Sequence, residues 1–600
     1  MRASQRFGVR RNPKECEEQG FNSDPRILLA LIRFLKRPPL SGLPQRDIPA
    51  LVLCICTEDM KTISILNHVL GPVMRGPSSS HTAGAFHIGC MARSLLGGQP
   101  AKARFAFDPD GSYAVTYVAQ GADRGFAMGL MDCPLTDDSF FTALQDAPSR
   151  GLDIDFEIRK LRNPDHPNAM EIELVDDAGR ILQLVAKSIG GGEVEFTEVD
   201  GRPVLMNGFA YEGLIEVPSE DTQAILKLLD ADQDSSAPAT VQKTEAADEL
   251  VSIETPNLKT RVTDRIQFRR KEPLTPGLQQ AITQASPDHQ IWVSHPVYFP
   301  QKGEPLFQSA EQMVAMAEEK GVSLGEIALA YESELLGIPE SDLIEEMTRR
   351  YQIMKASVVR GLDPNFQGLQ LLPTCAGAIF EAEAAGKLAT QSLHTRSAAR
   401  ALAVMHVDAA MGVVCAAPTG GSAGVIPGTL VTLEEENNID RETMARALFA
   451  AGAVGMILAI RGTFAAEVAG CQVEIGASGA MAAAAVVDAC QGSPKQACDA
   501  AAICFQNTMG TVCDLLHGMV EIPCHTRNGA AAASAFVNAD LVLGGYPNLI
   551  PLDETIDAVY AVGLAMPSEL RCTSKGGLAV TPSAQALQPR CCGSGCIGCG

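Results

Sequence analysis

The sequence predicts a multidomain protein, in which an α+β amino-terminal domain with an antiparallel sheet and helices precedes an all-α domain. From Phe105 to Val199 apolar and polar residues mostly alternate, as in strands that bury one face. After about Phe307 the apolar spacing becomes helical and stays so to Leu570. The chain has 600 residues, about four times the ~150-residue yardstick for one domain. We therefore expect two to four folded units.

The first 59 residues differ from the rest of the chain in charge and composition. They hold ten Lys or Arg and seven Asp or Glu, whereas the whole chain has a net charge of -23. Prolines interrupt this stretch repeatedly, and its apolar runs are short. We therefore expect residues 1–59 to be a non-native or disordered extension. Met60 begins the apolar-periodic segment MKTISILNHVLGPVM and is the expected natural start.

The strand pattern assigns residues 60–230 to the α+β domain. The run RFAF, the dipeptide Asp110-Gly111 and the run YAVTY predict a β-hairpin, and MEIELVDDAGRILQLVAKSI and GEVEFTEV predict further strands. Residues 231–256 are acidic, rich in Ser and Ala and weakly hydrophobic, which predicts a linker. Residues 257–306 are assigned to a connecting segment.

Residues 307–580 form the predicted all-α domain. Ala/Gly-rich segments such as AMAAAAVVDACQG lie between polar helix caps, and aromatic residues make up only 5% of the chain. The core is therefore expected to consist of small aliphatic side chains. Residues 581–600 are a Cys-rich tail that we expect to be mobile unless something holds its cysteines.

The charge balance and the cysteine content exclude several classes of function. The chain has 48 Lys plus Arg against 71 Asp plus Glu, which argues against binding nucleic acid or an anionic membrane. Apolar runs such as 447–460 are shorter than the roughly 20 residues that span a bilayer, so no transmembrane helix is expected. The 18 cysteines are too dilute for a disulfide scaffold. In a reducing cytoplasm, the expected location, clustered cysteines favour metal or redox chemistry.

Three interior cysteines are candidate metal ligands: Cys471, Cys513 and Cys524. On one unbroken helix the last two would lie roughly 16 Å apart, but Gly518 and Pro523 allow the chain to turn back. A cubane cluster held by three thiolates keeps one iron with an open site, which can act as a Lewis acid toward a hydroxyl leaving group. The alternative is that each is a buried free cysteine acting as a small apolar side chain.

Two loops carry candidate substrate groups. In GPSSSHT, the side chains of Ser80, His81 and Thr82 combine hydroxyls that suit a carboxylate or phosphate with an imidazole that titrates near neutrality, as a general base should. PTGGSAG is a loop whose backbone can approach a small ligand closely. Taken alone, GPSSSHT could equally be a Ser-rich helix start with an exposed histidine. PTGGSAG could equally be an ordinary turn at the start of a helix.

Six segments together resemble the iron-sulfur L-serine dehydratases, in the form that joins β and α parts in one chain. In chain order they are GPVMRGPSSSHTAGAFHIG, HPNAMEIELVDDAGRILQLVAKSIGGG, CAAPTGGSAGVIPG, AGCQVEIGASGAMAAA, VCDLLHGMVEIPCHTRN and TSKGGLAV. The resemblance covers Met60 to about Val580. It implies a lyase of amino-acid degradation and gluconeogenesis that converts L-serine to pyruvate and ammonia, with the all-α domain catalytic.

The resemblance also assigns roles to residues. It implies that the three interior cysteines hold a [4Fe-4S] cluster and that His81 is the base. It implies substrate contacts from two loops, through Ser80, Thr82, Thr419, Gly420, Gly421 and Ser422. Gly420 stands where the family usually has Asn, which puts one side-chain amide contact in doubt.

Two further assignments concern Arg527 and the tail. Arg527 is a candidate for binding the substrate carboxylate bidentately, and a pairing with a local Asp or Glu is the alternative. In some members of the family a cysteine at the extreme carboxyl terminus caps the fourth iron, and here Cys599 is penultimate. Cys591, Cys592 and Cys596 are nearby, and a zinc knuckle built from these four cysteines is the alternative.

Other functions stay open as alternatives. The same cluster chemistry can act on L-cysteine or L-threonine, and a pyridoxal-phosphate dehydratase would use Lys575. An amino-acid or redox sensor without catalysis would use the β domain, in which residues 100–230 are candidates for binding a second serine. The two halves do not alternate strand and helix as pyridoxal-phosphate enzymes usually do, and the three cysteines together with His81 argue against a sensor. We expect a homodimer that takes L-serine as its substrate.

Overall fold

The computed structural model describes residues 61–232, 234–243 and 263–590. The predicted extension, 1–59, and the four tail cysteines, Cys599 among them, lie outside these residues. The strands are β1 (Val73–Arg75), β2 (Lys102–Phe107), β3 (Asp153–Ile158), β4 (Ala169–Val175), β5 (Ile181–Gly190), β6 (Glu193–Val199), β7 (Arg202–Met206), β8 (Tyr211–Pro218), β9 (Ser235–Lys243), β10 (Thr263–Arg270), β11 (Gln290–Ser294) and β12 (Val413–Cys415).

Helices dominate the second half of the chain. They are α1 (Gly84–Leu96), α2 (Tyr113–Thr116), α3 (Ala122–Leu130), α4 (Ala143–Asp146), α5 (Thr222–Asp230), α6 (Pro276–Ala285), α7 (Ala310–Lys320), α8 (Leu324–Leu336), α9 (Glu340–Leu362), α10 (Ala376–Ala384), α11 (Leu393–Ala409), α12 (Val425–Asn437), α13 (Arg441–Arg461), α14 (Ala466–Ala469), α15 (Ile475–Ala489), α16 (Pro494–Thr508), α17 (Cys524–Leu543), α18 (Leu552–Ala565) and α19 (Pro582–Ala586). The predicted class, an α+β domain followed by an all-α domain, is confirmed.

A six-stranded sheet forms the first part of the α+β region, with strand order β3-β2-β4-β5-β6-β7. Only β2 and β3 run parallel within it, and the other neighbours are antiparallel, as predicted. Alternate residues of β4 are buried, namely Met170, Ile172 and Leu174. The period-two pattern therefore reports one buried face.

The predicted hairpin at Asp110-Gly111 is wrong. The turn is present, but it leads into the helical turn α2 rather than into a strand. Tyr113 is buried in α2, stacks on Phe107 of β2 at a ring-centroid distance of 5.1 Å and donates a hydrogen bond to the carbonyl oxygen of Ser80. These tertiary contacts outweigh the strand preference of YAVTY.

A second, four-stranded antiparallel sheet has the order β11-β8-β10-β9. It has its own hydrophobic core, in which Ile215, Ile225, Ile266 and Ile282 are fully buried. The predicted linker, 231–256, therefore contains strand β9, and the predicted connecting segment, 257–306, contains β10, α6 and β11. Because β9 pairs on one side only, as an edge strand, it needs no strong apolar pattern and resembles a linker in composition.

The helical half is built largely from small side chains. Helix α13 is long and apolar enough to cross a membrane, but 83% of its most apolar window is buried inside the protein. Gly452 and Gly455 on this helix make close contacts: a Cβ at either position would meet Ile65 or Val69 at 2.3 Å. Glycine therefore lets the first described segment of the chain pack directly against the helix.

That first segment, residues 61–70, is inserted into the helical half. Ser64 caps a helical turn, Ile65–Val69, that is completely buried. The fully buried carboxylate of Glu332, on α8, accepts hydrogen bonds from the N–H groups of Ile65 and Leu66, at 2.8 and 2.9 Å, and from the Ser64 hydroxyl. The two halves of the chain are thus interlocked.

Strands β1 and β12 precede the two predicted substrate loops and join the two halves of the chain. They pair antiparallel, with Val73 opposite Cys415 and Arg75 opposite Val413. The chain leaves β1 into the segment 76–83 and leaves β12 into the segment 417–424. Antiparallel strands send these two segments off at opposite ends of the sheet, and the contact between them is made by Gly420, which lies against Pro77.

Candidate active site

The three predicted ligand cysteines converge in the helical half. Cys471, Cys513 and Cys524 are all buried. The sulfur atoms of Cys471 and Cys513 and a carboxylate oxygen of Glu474 all lie within 4.8 Å of one another. The Cys513 thiol forms a hydrogen bond with the Cys471 thiol, and Cys524 interacts electrostatically with Cys471. The structure thus brings together residues 53 positions apart in sequence.

The chain reverses between these cysteines as their neighbours predict. Gly470 has a φ of 75°, and a Cβ there would lie 2.8 Å from the carbonyl oxygen of Thr511. Only glycine suits both the left-handed backbone and this close approach. Gly518 also has a positive φ, 74°, and α17 begins at Cys524, so no helix joins the second and third cysteines.

Arg527 lies beside the thiols rather than free for a ligand. Its guanidinium pairs with Asp514 at 2.9 Å, donates to the carbonyl oxygen of Val512 at 2.8 Å and forms a hydrogen bond with Cys471. The pairing with a local Asp, which the sequence left open, is the one observed. The Cys513 thiol and the guanidinium lower the pKa of Cys471, whereas burial raises the pKa of Cys524. Arg527 therefore favours the thiolate of Cys471.

His81 is buried in a helical turn, Ser79–Ala83, that Ser78 caps. Its Nδ1 lies 3.1 Å from the Ser78 hydroxyl, and its Nε2 lies 2.8 Å from the Ser112 hydroxyl. Burial lowers the pKa of His81 to about 4. The exposed histidine of the alternative interpretation is thus excluded, and the imidazole is neutral at physiological pH.

Two other residues of this turn, Ser80 and Thr82, form hydrogen bonds with other parts of the protein. The Thr82 hydroxyl is fully buried and donates to the carbonyl oxygen of Gln120 at 2.7 Å. The carbonyl oxygen of Ser80 accepts hydrogen bonds from Tyr113 and Ser188. Thr82 therefore helps to position the turn, and its predicted substrate contact stays a prediction.

The glycine-rich loop touches this turn directly. A Cβ at Gly420 would lie 2.9 Å from the carbonyl oxygen of Pro77, which leaves no room for the Asn usual at this position. The Ser422 hydroxyl is fully buried and bonds to Ala417 and Thr419 within the loop. Ser422 therefore shapes the loop, while the backbone of Gly420 and Gly421 remains available at the start of its helical turn.

Sequence reasoning missed Asn528, which ties the loop to the cysteine helix. Its side-chain amide donates to the carbonyl oxygens of Gly421 and Cys524, both at 2.9 Å, and its oxygen accepts from the N–H of Gly424 at 3.2 Å. Asn528 lies one turn after Cys524 on α17. The only signal in the sequence is this helical spacing.

Glu474 connects the loop to the thiols and was also missed. Its carboxylate forms a hydrogen bond with Thr419, and a Cβ at Gly421 would lie 3.9 Å from its Oε2. Burial raises the pKa of Glu474 well above its usual range. A fourth cysteine, Cys572, also reaches the site and hydrogen-bonds to Cys513. The site thus combines thiols, a carboxylate, a glycine loop and the His81 turn.

Comparison with known proteins gives matches to both halves. The family described as serine dehydratase alpha chain matches residues 319–579. The chain is 38% identical over 285 residues to the probable L-serine dehydratase alpha chain of Bacillus subtilis (strain 168), covering 48% of this chain and 95% of that protein. It is 32% identical over 284 residues to the L-serine dehydratase alpha chain of Peptoniphilus asaccharolyticus, covering 47% and 97%. It is 43% identical over 149 residues to the probable L-serine dehydratase beta chain of Bacillus subtilis (strain 168), covering 25% and 66%.

Proposed function

Because the chain belongs to the L-serine dehydratase family and joins alpha and beta parts in one polypeptide, we propose that it converts L-serine to pyruvate and ammonia with the help of a [4Fe-4S] cluster. The observation that supports the cluster is the convergence of the buried thiols of Cys471, Cys513 and Cys524 beside the Arg527 cation. Thiolates are the ligands of such clusters, and a nearby cation favours them.

The reaction has to remove a weakly acidic α-proton and a poor leaving group. When bound, a cluster held by three thiolates supplies an iron that acts as a Lewis acid toward the serine hydroxyl. His81 takes the α-proton. Because its imidazole is neutral, one ring nitrogen carries a lone pair. To act as the base, this nitrogen gives up its hydrogen bond with the protein hydroxyl, that of Ser78 or Ser112, and faces the substrate instead. The aminoacrylate product tautomerises and hydrolyses to pyruvate and ammonia.

Two groups orient the zwitterionic substrate. The N–H groups at the start of the helical turn Gly420–Ser422 have no acceptor within that turn and suit the substrate carboxylate. The Glu474 carboxylate lies within 4.8 Å of the sulfur atoms of Cys471 and Cys513, and we assign it to the α-ammonium group. A neighbouring ammonium favours the charged form of a carboxylate that burial otherwise keeps neutral.

Anaerobic purification followed by iron and sulfide analysis tests the proposed function. We expect iron and sulfide with the wild-type chain, and loss of both together with pyruvate formation in Cys471→Ala, Cys513→Ala or Cys524→Ala. Cys498→Ala, at a buried position on α16, is the control and should keep both. Full activity of an iron-free preparation supplemented with pyridoxal phosphate would contradict the proposal. The same assay with L-threonine and L-cysteine establishes the substrate preference.

We also propose a homodimer in the cytoplasm. Exposed apolar side chains at Val537, Leu541, Tyr546, Leu549 and Ile550, on the end of α17 and the following loop, support association. Light scattering of the wild-type chain and of Leu549→Asp measures the mass directly. Equal monomeric masses would contradict the dimer.

A further inference from the structure

We propose that Cys572 is the fourth thiolate of the resting metal site, the one that a substrate displaces, in place of a cysteine of the tail. This inference rests on the proposed function, because it assigns a role toward the same cluster. Cys572 immediately precedes the TSKGGLAV segment and lies outside all six segments that resemble the family.

Backbone hydrogen bonds hold Cys572 against the second predicted ligand. The N–H of Cys513 donates to the carbonyl oxygen of Leu570 at 2.8 Å, and the N–H of Cys572 donates to the carbonyl oxygen of Cys513 at 2.9 Å. Further along, the Ser574 hydroxyl donates to the carbonyl oxygen of Leu515 at 2.7 Å. The segment from residue 570 therefore runs along residues 513–515 as a continuous attachment.

The thiol of Cys572 points to the other thiols. It forms a hydrogen bond with Cys513, whose thiol also bonds to Cys471, and it interacts electrostatically with Cys471 and Cys524. Glu474 is among its charged neighbours as well. Cys572 thus joins the three predicted ligands through pairwise interactions. Together they are four thiols from four separate segments, and four is the number of thiolates that bind a complete [4Fe-4S] cluster.

Two features distinguish Cys572 from the three fully buried cysteines. As a residue it is only partly buried, whereas the other three are buried. Its backbone has a φ of 61°, in the left-handed region that non-glycine residues rarely adopt. A strained backbone of this kind persists where the surrounding structure holds the residue in place, and such residues cluster at functional sites.

Thiol alkylation of the wild-type holoenzyme tests the assignment. Iodoacetamide labelling under anaerobic conditions, read by mass spectrometry at each cysteine, should spare Cys572 at rest. Label at Cys572 should appear after saturating L-serine is added, and after a chelator removes the iron. The exposed Cys490 is the control and should be labelled equally in all three states. Equal labelling of Cys572 with and without iron would overturn the proposal.

Variants provide a second, independent readout. Compared with the wild type, Cys572→Ser should retain the cluster but lose one iron per chain on exposure to air, seen as the electron paramagnetic resonance signal of a three-iron cluster. A chain that ends at residue 590 should behave as the wild type. If the shortened chain loses the iron and Cys572→Ser does not, a tail cysteine is the cap and the proposal is wrong. If Cys572→Ser binds no iron at all, Cys572 belongs to the permanent ligands, which also overturns it. A wild-type chain without iron would instead refute the proposed function.

Discussion

The protonation of His81 follows from its burial between the hydroxyls of Ser78 and Ser112. Burial lowers its pKa to about 4, so the imidazole is protonated only below that pH. We expect kcat/KM for L-serine to show no acid limb from His81 between about pH 8 and about pH 5, because a base must be neutral to act. Steady-state rates in overlapping buffers measure this. An acid limb near the ordinary histidine pKa would contradict the expectation that burial keeps His81 neutral down to about pH 5.

Replacing the imidazole tests its role directly. We expect His81→Ala to lose turnover by about 10²- to 10⁴-fold, the usual contribution of general-base catalysis, with iron and sulfide content unchanged. His166→Ala is the matched control, because His166 lies in the loop before β4 and its Nδ1 accepts from the N–H of Asn168. Loss of stability with near-normal turnover would make His81 a structural residue.

A second residue change concerns binding. We expect Glu474→Gln to raise KM for L-serine by about 10- to 100-fold, because hydrogen bonds to charged groups are worth about 1.5–3 kcal/mol. Iron content should not change, since the carboxylate is assigned to the substrate. Glu319→Gln, at an exposed position, is the control. An unchanged KM would remove Glu474 from the substrate site.

At this scale the sequence predicted some site residues and not others. The cysteines Cys471, Cys513 and Cys524 and the proposed base, His81, carry chemistry that the sequence displays through residue type. Asn528 and Glu474 are common residue types on helices or turns, and their roles depend on which loop the fold brings to them. For Arg527 the sequence left two partners open for the same reason, because Asp514 becomes its neighbour only when the chain folds back.

Among the elements, the junction of the glycine loop with α17 depends on one side chain. Asn528→Ala removes three hydrogen bonds and leaves the buried N–H of Gly424 without its acceptor. We expect a loss of about 1–3 kcal/mol in the free energy of unfolding, the cost of an unsatisfied buried group. Denaturant unfolding measures it. Asn365→Ala, at an exposed turn, is the control, and equal stability of the two variants would contradict the argument.

Helices and strands were predicted well where the spacing of apolar residues within the element itself determines its type. The helical spacing after Phe307 and the alternation in β4 and β5 each report a buried face. The prediction failed at α2, where Tyr113 is drawn into a helical turn by Phe107 and Ser80, and at β9, an edge strand that its pairing with β10 determines. Long-range partners of this kind leave no local pattern.

At the scale of the whole molecule, the interlock of the two halves predicts a sharp boundary for truncation. We expect removal of residues 1–59 to leave solubility and activity unchanged. Removal of residues 1–70 should give insoluble protein, because the buried Glu332 carboxylate loses its three donors and α13 loses the side chains that fill its glycine surface. Soluble yield and thermal unfolding of both truncated chains test this. Equal behaviour of the two would show that the segment 61–70 is dispensable.

The insertion of residues 61–70 into the helical half also opposes the order in which the chain is made. Gly455 leaves the ribosome about 390 residues after Ile65, which at about 5–20 residues per second is roughly 20–80 s later. Until then Ile63, Ile65 and Val69 have no surface to cover them, and exposed apolar segments favour aggregation and chaperone binding. A segment made early is thus among the last to settle, which makes the cellular yield of the protein sensitive to the pace of translation through α8 to α13.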